Sequence, residues 1–126
     1  MSVELNHTIV RVRDRDAAAR EVADTLGLEE PTTYGPFMEV RMANGVNLDF
    51  MADTGEIHGQ HYAFLVSEDD FDSIHQRLKD SGRQWWADPH QRSPGEINTA
   101  DGGRGLYWEG PDGHWLEIIT VPYGGG

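Results

Sequence analysis

The chain has 126 residues, 37% of them hydrophobic, and a formal net charge of −12 at pH 7. This length suffices for one core, and we expect a single domain over residues 1–126. The negative charge argues against nucleic acid as a partner; it would attract a cationic ligand, or it simply maintains solubility. The chain has no cysteine, which excludes disulfides, thiolate nucleophiles and sulfur ligands for a metal.

No segment of the chain is typical of a membrane or secretion signal. No apolar run approaches the roughly 20 residues that cross a bilayer, and the segment after Met1 is polar and strand-like. The sequence also has no pattern typical of a nucleophilic triad or a phosphate-binding loop. We therefore expect a cytoplasmic protein that binds neither membranes nor nucleic acid.

The first half predicts a strand, a helix and three further strands. Residues 4–12 alternate and are rich in β-branched side chains, which favours a strand. Asp14 and Asp16 are candidate N-caps of a helix that Gly27 would end. Three strands are then expected, over residues 32–34, 37–42 and 46–51, and Asn44-Gly45 predicts a hairpin between the last two.

The second half predicts the same order of elements. Residues 61–66 favour a strand, and Ser67 can cap a helix that presents apolar residues on one face and ends at Gly82. Strands are expected over residues 84–87, 105–109 and 115–121. Between the first two of these strands lies a long polar loop, residues 88–103.

The two halves also align residue by residue. Asn6-His7-Thr8 matches Gln60-His61-Tyr62, and the segment from Asn44-Gly45 to Asp49 matches that from Asp112-Gly113 to Glu117. The extra residues of the second half lie in the loop 88–103. An internal repeat predicts an α+β fold of two βαβββ modules, over residues of about 3–52 and 60–121.

Each half supplies a histidine from its first strand and a carboxylate from its last. Side chains alternate along a strand, so His7, Asp49, His61 and Glu117 share their faces with mostly apolar neighbours. Burying an unpaired charge in such a place costs several kcal/mol unless the group is paired or binds a cation. Two imidazoles with one or two carboxylates suit a divalent ion such as Zn, Ni, Fe, Mn or Co.

Taken singly, each of these residues has a simpler interpretation. A histidine in a strand is commonly a surface residue or a hydrogen-bonded core residue, and we assign four others to that class: His58, His75, His90 and His114. Asp49 would simply face solvent beside Asn47, and its side chain is one methylene shorter than that of glutamate. The joint pattern favours the metal for His7, His61 and Glu117 and leaves Asp49 open.

These residues resemble the vicinal oxygen chelate superfamily, also called the glyoxalase/bleomycin resistance/dioxygenase group. The resemblance runs from His7 in NHTIVRV to Glu117 in GPDGHWLEIIT, and the Pro-Asp-Gly turn before the glutamate strand is its most specific part. It implies paired βαβββ modules that form a cup-shaped, open mixed β-barrel around a metal. In this family the metal binds adjacent oxygens of the substrate as a Lewis acid.

The resemblance implies different ligand sets in different branches. The glyoxalase I set would fall on His7, Asp49, His61 and Glu117, although aspartate at position 49 departs from that pattern. The dioxygenase set would fall on His7, His61 and Glu117 alone. The drug-sequestering branch usually lacks the ligands, which this chain retains.

We therefore predict a metal-dependent enzyme acting on a small molecule with vicinal oxygens, by a lyase, isomerase or oxygenase step. Glu117 or Asp49 would be the catalytic base. The alternative is a protein that sequesters an antibiotic of the bleomycin type. A homodimer is expected, because two modules leave sheet edges and apolar surface uncovered.

Five further residues are assigned to the substrate pocket. Adjacent strand residues point to opposite faces, so one member of each aromatic pair at residues 85–86 and 107–108 would face the pocket. Arg104 follows two glycines and would reach an anionic substrate, or else it is a surface arginine. The pocket assignments are Trp115, Met51, Trp86, Tyr107 and Arg104, and the loop 88–103 is long enough to act as a lid.

Overall fold

A computed structural model describes residues 1–124. The chain divides into two compact units, Met1–Ile57 (unit 1) and His58–Gly126 (unit 2). Unit 1 contains β1 (His7–Val12), α1 (Arg15–Leu26), β2 (Thr32–Tyr34), β3 (Phe37–Arg41) and β4 (Asn47–Ala52). Unit 2 contains β5 (His61–Leu65), α2 (Glu68–Asp80), β6 (Gly105–Glu109) and β7 (Trp115–Ile119). The α+β class built from two βαβββ-like sheets is confirmed. No helix in the described part of the chain is both long and apolar enough to cross a membrane.

Unit 1 is a four-stranded sheet with one helix on it. The strand order is β1-β4-β3-β2, in which β1 and β4 run parallel and the other pairs antiparallel. Asp14 caps α1 by accepting a hydrogen bond from the amide of Ala17 (3.1 Å), and Gly27 ends it in the left-handed conformation. The helix packs against β1, β3 and β4, where the core includes Val12, Val40 and Phe50.

Unit 2 repeats this plan with one strand reduced. Its sheet has the order β5-β7-β6, with β5 and β7 parallel. Ser67 caps α2 as expected, accepting from the amide of Asp70 (3.1 Å). The core of this unit is formed by apolar side chains from α2, β6 and β7: Phe71, Ile74, Leu78, Leu106, Trp108, Leu116 and Ile118.

The strand expected over residues 84–87 is not a full strand. Only Trp86 pairs, through isolated bridges to Tyr107 and to Pro94. The segment cannot extend because Asp88 turns the chain at once, accepting hydrogen bonds from the amides of Arg92 and Ser93. Trp86 nevertheless holds the place of a fourth strand beside β6.

The two units place the predicted ligands in the same register. In each, the first histidine pairs with a residue of the last strand, and the carboxylate lies two positions beyond that residue: His7–Asn47 with Asp49, and His61–Trp115 with Glu117. Residues two apart on a strand share a face. The repeat inferred from the sequence therefore holds at the level of strand pairing.

Candidate metal centre

The centre of the candidate site in unit 2 is a histidine–carboxylate pair. Glu117 is only 2% exposed, and its Oε1 lies 3.0 Å from Nε2 of His61. On the other side of the imidazole, Nδ1 donates a hydrogen bond to the carbonyl oxygen of Trp115 (2.9 Å). Since a carbonyl only accepts, Nδ1 must carry a proton, and a neutral His61 would then present a lone pair to the carboxylate. The contact fits an imidazolium, a protonated carboxyl group or a cation that both groups bind.

Two phenols complete the surroundings of Glu117. The hydroxyl of Tyr123 donates to Oε1 (3.1 Å), and Tyr107, which pairs with Glu117 across the sheet, also bonds to this carboxylate. Burial, together with the negative charge of Glu117, raises the pKa of both phenols. Both therefore stay protonated at neutral pH and act as donors, which stabilises the buried carboxylate.

The corresponding carboxylate of unit 1 lacks such donors. Asp49 is 3% exposed, and within the described residues neither its Oδ1 nor the buried Oδ1 of Asn47 has a hydrogen-bond partner. Glu39 lies directly opposite Asp49 in the β3–β4 pair. A hydrogen bond with Asp49, burial and charge repulsion together raise the pKa of Glu39. Buried acceptor oxygens without donors fit a cation, as does the donor set of nitrogen and oxygen atoms.

His7, like its counterpart in unit 2, is hydrogen-bonded through Nδ1, although the partner is a side chain. Its Nδ1 bonds to Oδ1 of Asn6 (2.7 Å), which leaves Nε2 available as a ligand atom. The structure thus brings His61 and Glu117 into direct contact and places His7 and Asp49 at the matching positions of unit 1. Across residues 1–124, no group of three or more His, Asp or Glu side chains is gathered as a metal-binding cluster.

Aromatic rings line the sheet face beside His61. The rings of Trp86 and Trp115 lie 5.4 Å apart, Tyr107 stacks on Trp115 at 6.2 Å, and His61 stacks on Tyr107 at 6.1 Å. Trp108, by contrast, is buried in the core. Three of the residues assigned to the pocket therefore form one continuous wall next to Glu117.

The other two residues assigned to the pocket differ from each other. Met51 lies on β4 two residues beyond Asp49 and is partly exposed. The guanidinium of Arg104 bonds to Glu68 (2.7 Å) and Asp72 (2.9 Å) of α2 and lies 4.3 Å from the ring centre of Phe71. These carboxylates raise the pKa of Arg104. Its charge is therefore already matched by the helix.

A cavity of about 230 Å³ opens beside Glu117. Tyr107 and Tyr123 line it together with Asn98 and Asp101, which belong to the loop expected to act as a lid. The site thus combines a buried carboxylate, two phenols and an open cavity beside them.

Three residues that take part in these contacts were not predicted from the sequence as site residues. Tyr123 lies beyond the last strand, where alternation no longer indicates a direction. Glu39 could have been found from the register of the β3–β4 hairpin, since it faces Asp49. His114, assigned to the ordinary histidines, is 2% exposed and accepts a hydrogen bond from the amide of Gln60, next to His61.

Known proteins are similar to this chain, two of them over almost its whole length and one over part of it. Solved structures named oxidase ChaP-H1 and oxidase ChaP-H2 are 60% and 59% identical, with TM-scores of 0.96 and 0.95; they cover 98% and 100% of this chain, which covers 100% of each. The glutathione transferase FosA of Serratia marcescens is 38% identical over 58 residues, which are 46% of this chain and 34% of that protein. The match thus spans about a third of that curated relative.

A family model extends the comparison to nearly the full length. The model for the glyoxalase/bleomycin resistance protein/dioxygenase superfamily matches residues 4–118, from the segment before β1 into β7. This range includes all four predicted metal ligands. The chain therefore belongs to the glyoxalase/bleomycin resistance protein/dioxygenase superfamily.

Proposed function

We propose that the protein is a metal-dependent enzyme that oxidises a small molecule with adjacent oxygen atoms. The observation that carries the proposal is the contact of His61 with Glu117, in which Nδ1 is committed to a carbonyl and Nε2 points at a buried carboxylate. That geometry is typical of a metal-ligating histidine oriented from behind. The two oxidases at about 60% identity favour oxidation over the lyase and isomerase steps.

The ligand set of the proposed ion starts from His61 and Glu117. The family resemblance adds His7, and in the four-ligand version also Asp49, whose unpartnered oxygen supports that role. With no cysteine in the chain, the donors are nitrogen and oxygen, which suit Fe, Mn, Co, Ni or Zn. When bound, the ion would act as a Lewis acid toward the substrate's two oxygens.

The other residues would bind and orient the substrate. The stacked rings of Trp86, Trp115 and Tyr107 suit a flat unsaturated molecule such as a catechol. Tyr107 and Tyr123 fix the direction of the Glu117 carboxylate before a ligand arrives. Asp49, or Glu117 where it is released, would accept the proton of a substrate hydroxyl.

Oxygen uptake by metal-loaded protein tests the proposal. The protein is loaded with each candidate ion and assayed with catechols, 2-oxoaldehyde thiol adducts and acyl-thioester epimers, while bleomycin-type drugs are titrated in parallel. Oxygen-dependent turnover should disappear in Glu117→Ala and persist in Glu109→Ala, a matched control on the neighbouring strand with an exposed side chain. Tight drug binding that survives Glu117→Ala, with no turnover on any substrate, would contradict the enzyme and favour the sequestering protein.

We also propose that the protein is a homodimer. Within the described residues, β1 and β2 end one sheet and β5 ends the other, whose far strand β6 is bordered by Trp86, so each sheet has an edge that a second copy could cover. Light scattering at micromolar concentration should give about twice the chain mass of 14.1 kDa. A single species at the monomer mass would contradict this part.

A further inference from the structure

We infer that His114 is a positioning residue that holds His61 in its ligating orientation, an inference that rests on the function proposed for His61 and Glu117. His114 lies just before β7 and is 2% exposed. Buried histidines need partners for their ring nitrogens. Here Nδ1 accepts a hydrogen bond from the backbone amide of Gln60 (3.0 Å), the residue that precedes His61.

The bond from Gln60 fixes the tautomer of His114. A backbone amide only donates, so Nδ1 of His114 must be unprotonated. His61 is in the opposite state, because its Nδ1 faces the carbonyl of Trp115 and must carry the proton. Backbone groups thus require a proton on Nδ1 of His61 and none on Nδ1 of His114, and in a neutral His61 ring this leaves Nε2 unprotonated and able to ligate.

Gln60 is fixed from both sides of its backbone. Its amide is held by His114, and its carbonyl accepts from the amide of Trp115 (2.8 Å). Gly59 lies so close to Gly113 that a Cβ on Gly59 would collide with the carbonyl oxygen of Gly113. The chain that enters β5 therefore packs directly against the Pro111–Gly113 turn, and the hydrogen bond from Gln60 to His114 holds it there.

Packing places His114 behind the site and outside it. Its ring packs edge-on against Tyr62 (6.1 Å between ring centres). Tyr62 follows His61 on β5, so its side chain points to the opposite face of the sheet. His114 therefore acts on His61 through the backbone of Gln60 and does not reach the Glu117 carboxylate from that face.

Unit 1 provides an internal comparison, because it lacks the hydrogen bond that His114 makes in unit 2. Its carbonyl contact is retained, since the amide of Asn47 donates to the carbonyl of Asn6 (2.9 Å). The position that corresponds to His114 is occupied by Val46, which has no side-chain acceptor. The histidine of unit 1 is held instead by the exposed side chain of Asn6. The buried acceptor is therefore a specific feature of unit 2, where the histidine meets Glu117.

The inference is tested with His114→Leu, which removes the acceptor at similar volume, and His114→Asn, whose Oδ1 can restore it. His90→Leu is the control, because His90 is exposed. In metal-free His114→Leu, the Gln60 amide should exchange with solvent at least about fivefold faster, and long-range ¹H–¹⁵N spectra should no longer show Nδ1 of His61 as fully protonated. Metal binding should weaken by about ten- to a hundredfold. His114→Asn should recover most of each effect, and His90→Leu should show none.

These experiments distinguish failure of the positioning role of His114 from failure of the proposed function. If His114→Leu leaves Gln60 exchange and the His61 tautomer unchanged, the positioning role is refuted. If that variant does not fold, the wild-type spectrum still decides, since a proton on Nδ1 of His114 would refute the role by itself. If the spectral changes occur as expected but the wild-type protein binds no metal, the positioning role stands and the proposed function fails.

Discussion

Asp49→Asn should stabilise the metal-free protein, although the residue is buried. The Asp49 carboxylate is 3% exposed, its Oδ1 has no donor among the described residues, and Glu39 faces it across the sheet. A buried acceptor without a partner costs about 1–3 kcal/mol. Asparagine removes the charge and offers an N–H donor to Glu39. We expect the free energy of unfolding to rise by about 1 kcal/mol, which for a domain of this size is a melting temperature about 4 °C higher.

Chemical denaturation with and without metal tests this prediction, because Asp49→Asn should raise the stability of the metal-free protein but reduce the further stabilisation that the metal gives. Without metal, Glu39→Gln should relieve the same repulsion, so the double variant should gain less than the sum of the two. With metal, the stabilisation by the ion should be smaller in Asp49→Asn than in the wild type, because a ligand has been lost. Glu56→Gln is the control in an exposed loop, with an expected change within about 0.5 kcal/mol. Marked destabilisation of metal-free Asp49→Asn would refute the reasoning, since it would show that the carboxylate has a structural partner.

Three further predictions concern unit 2. Arg104→Ala should lower the free energy of unfolding, measured by chemical denaturation, by about 1–2 kcal/mol, because two ion pairs to α2 and the contact with Phe71 are lost. A raised KM with unchanged stability would instead indicate that Arg104 contacts the substrate. Burial lowers the pKa of His75, and the nearby charges of Lys79 and Arg104 lower it further, while Asp72 raises it. The free energy of unfolding should therefore fall as the pH drops below about 6.5 toward that lowered pKa. His75→Gln should flatten this part of the pH–stability curve, and an unchanged slope would contradict the prediction. Tyr123→Phe removes one donor from buried Glu117, which keeps its contacts with His61 and Tyr107, and should destabilise the metal-free protein by about 0.5–1.5 kcal/mol by thermal unfolding. No change would show that this bond is unimportant.

The repeat and its pairing were accessible from the sequence because alternation and turn residues act locally. The caps Asp14 and Ser67 were found where they were expected. The repeat also predicted that His61 and Glu117 occupy positions equivalent to those of His7 and Asp49, and the strand pairing agrees. The caps depend on residues close to the helix start, and the equivalence depends on matching short segments of the two halves, so the pattern of the sequence is enough to indicate both.

Other parts of the site depend on contacts that the sequence does not specify. A two-residue turn at Asn44-Gly45 would place Val40 opposite Asp49, whereas the hairpin closes between Met42 and Val46 with the three loop residues 43–45 that the expected strands leave. That shift of one residue brings Glu39 to Asp49. A single extra loop residue therefore decides which side chain faces the carboxylate.

Long-range contacts explain the remaining omissions. His114 is buried because an amide from a distant segment, that of Gln60, needs an acceptor. Tyr123 reaches Glu117 only because the chain folds back after β7. Neither position carries a periodic signal, and both become interpretable only when the partner is known.

Metal titration of four metal-stripped proteins tests the central claim most directly: wild type, His61→Ala, Glu117→Ala and the exposed control His90→Ala. Calorimetry with Co²⁺, together with its visible spectrum, reports affinity and ligand environment independently of any substrate. We predict saturable binding to the wild type and to His90→Ala, and a loss of more than about a hundredfold in affinity for either change at the His61–Glu117 pair, beyond what changes behind the ligands usually cost. Unchanged affinity and spectrum in His61→Ala would contradict the account.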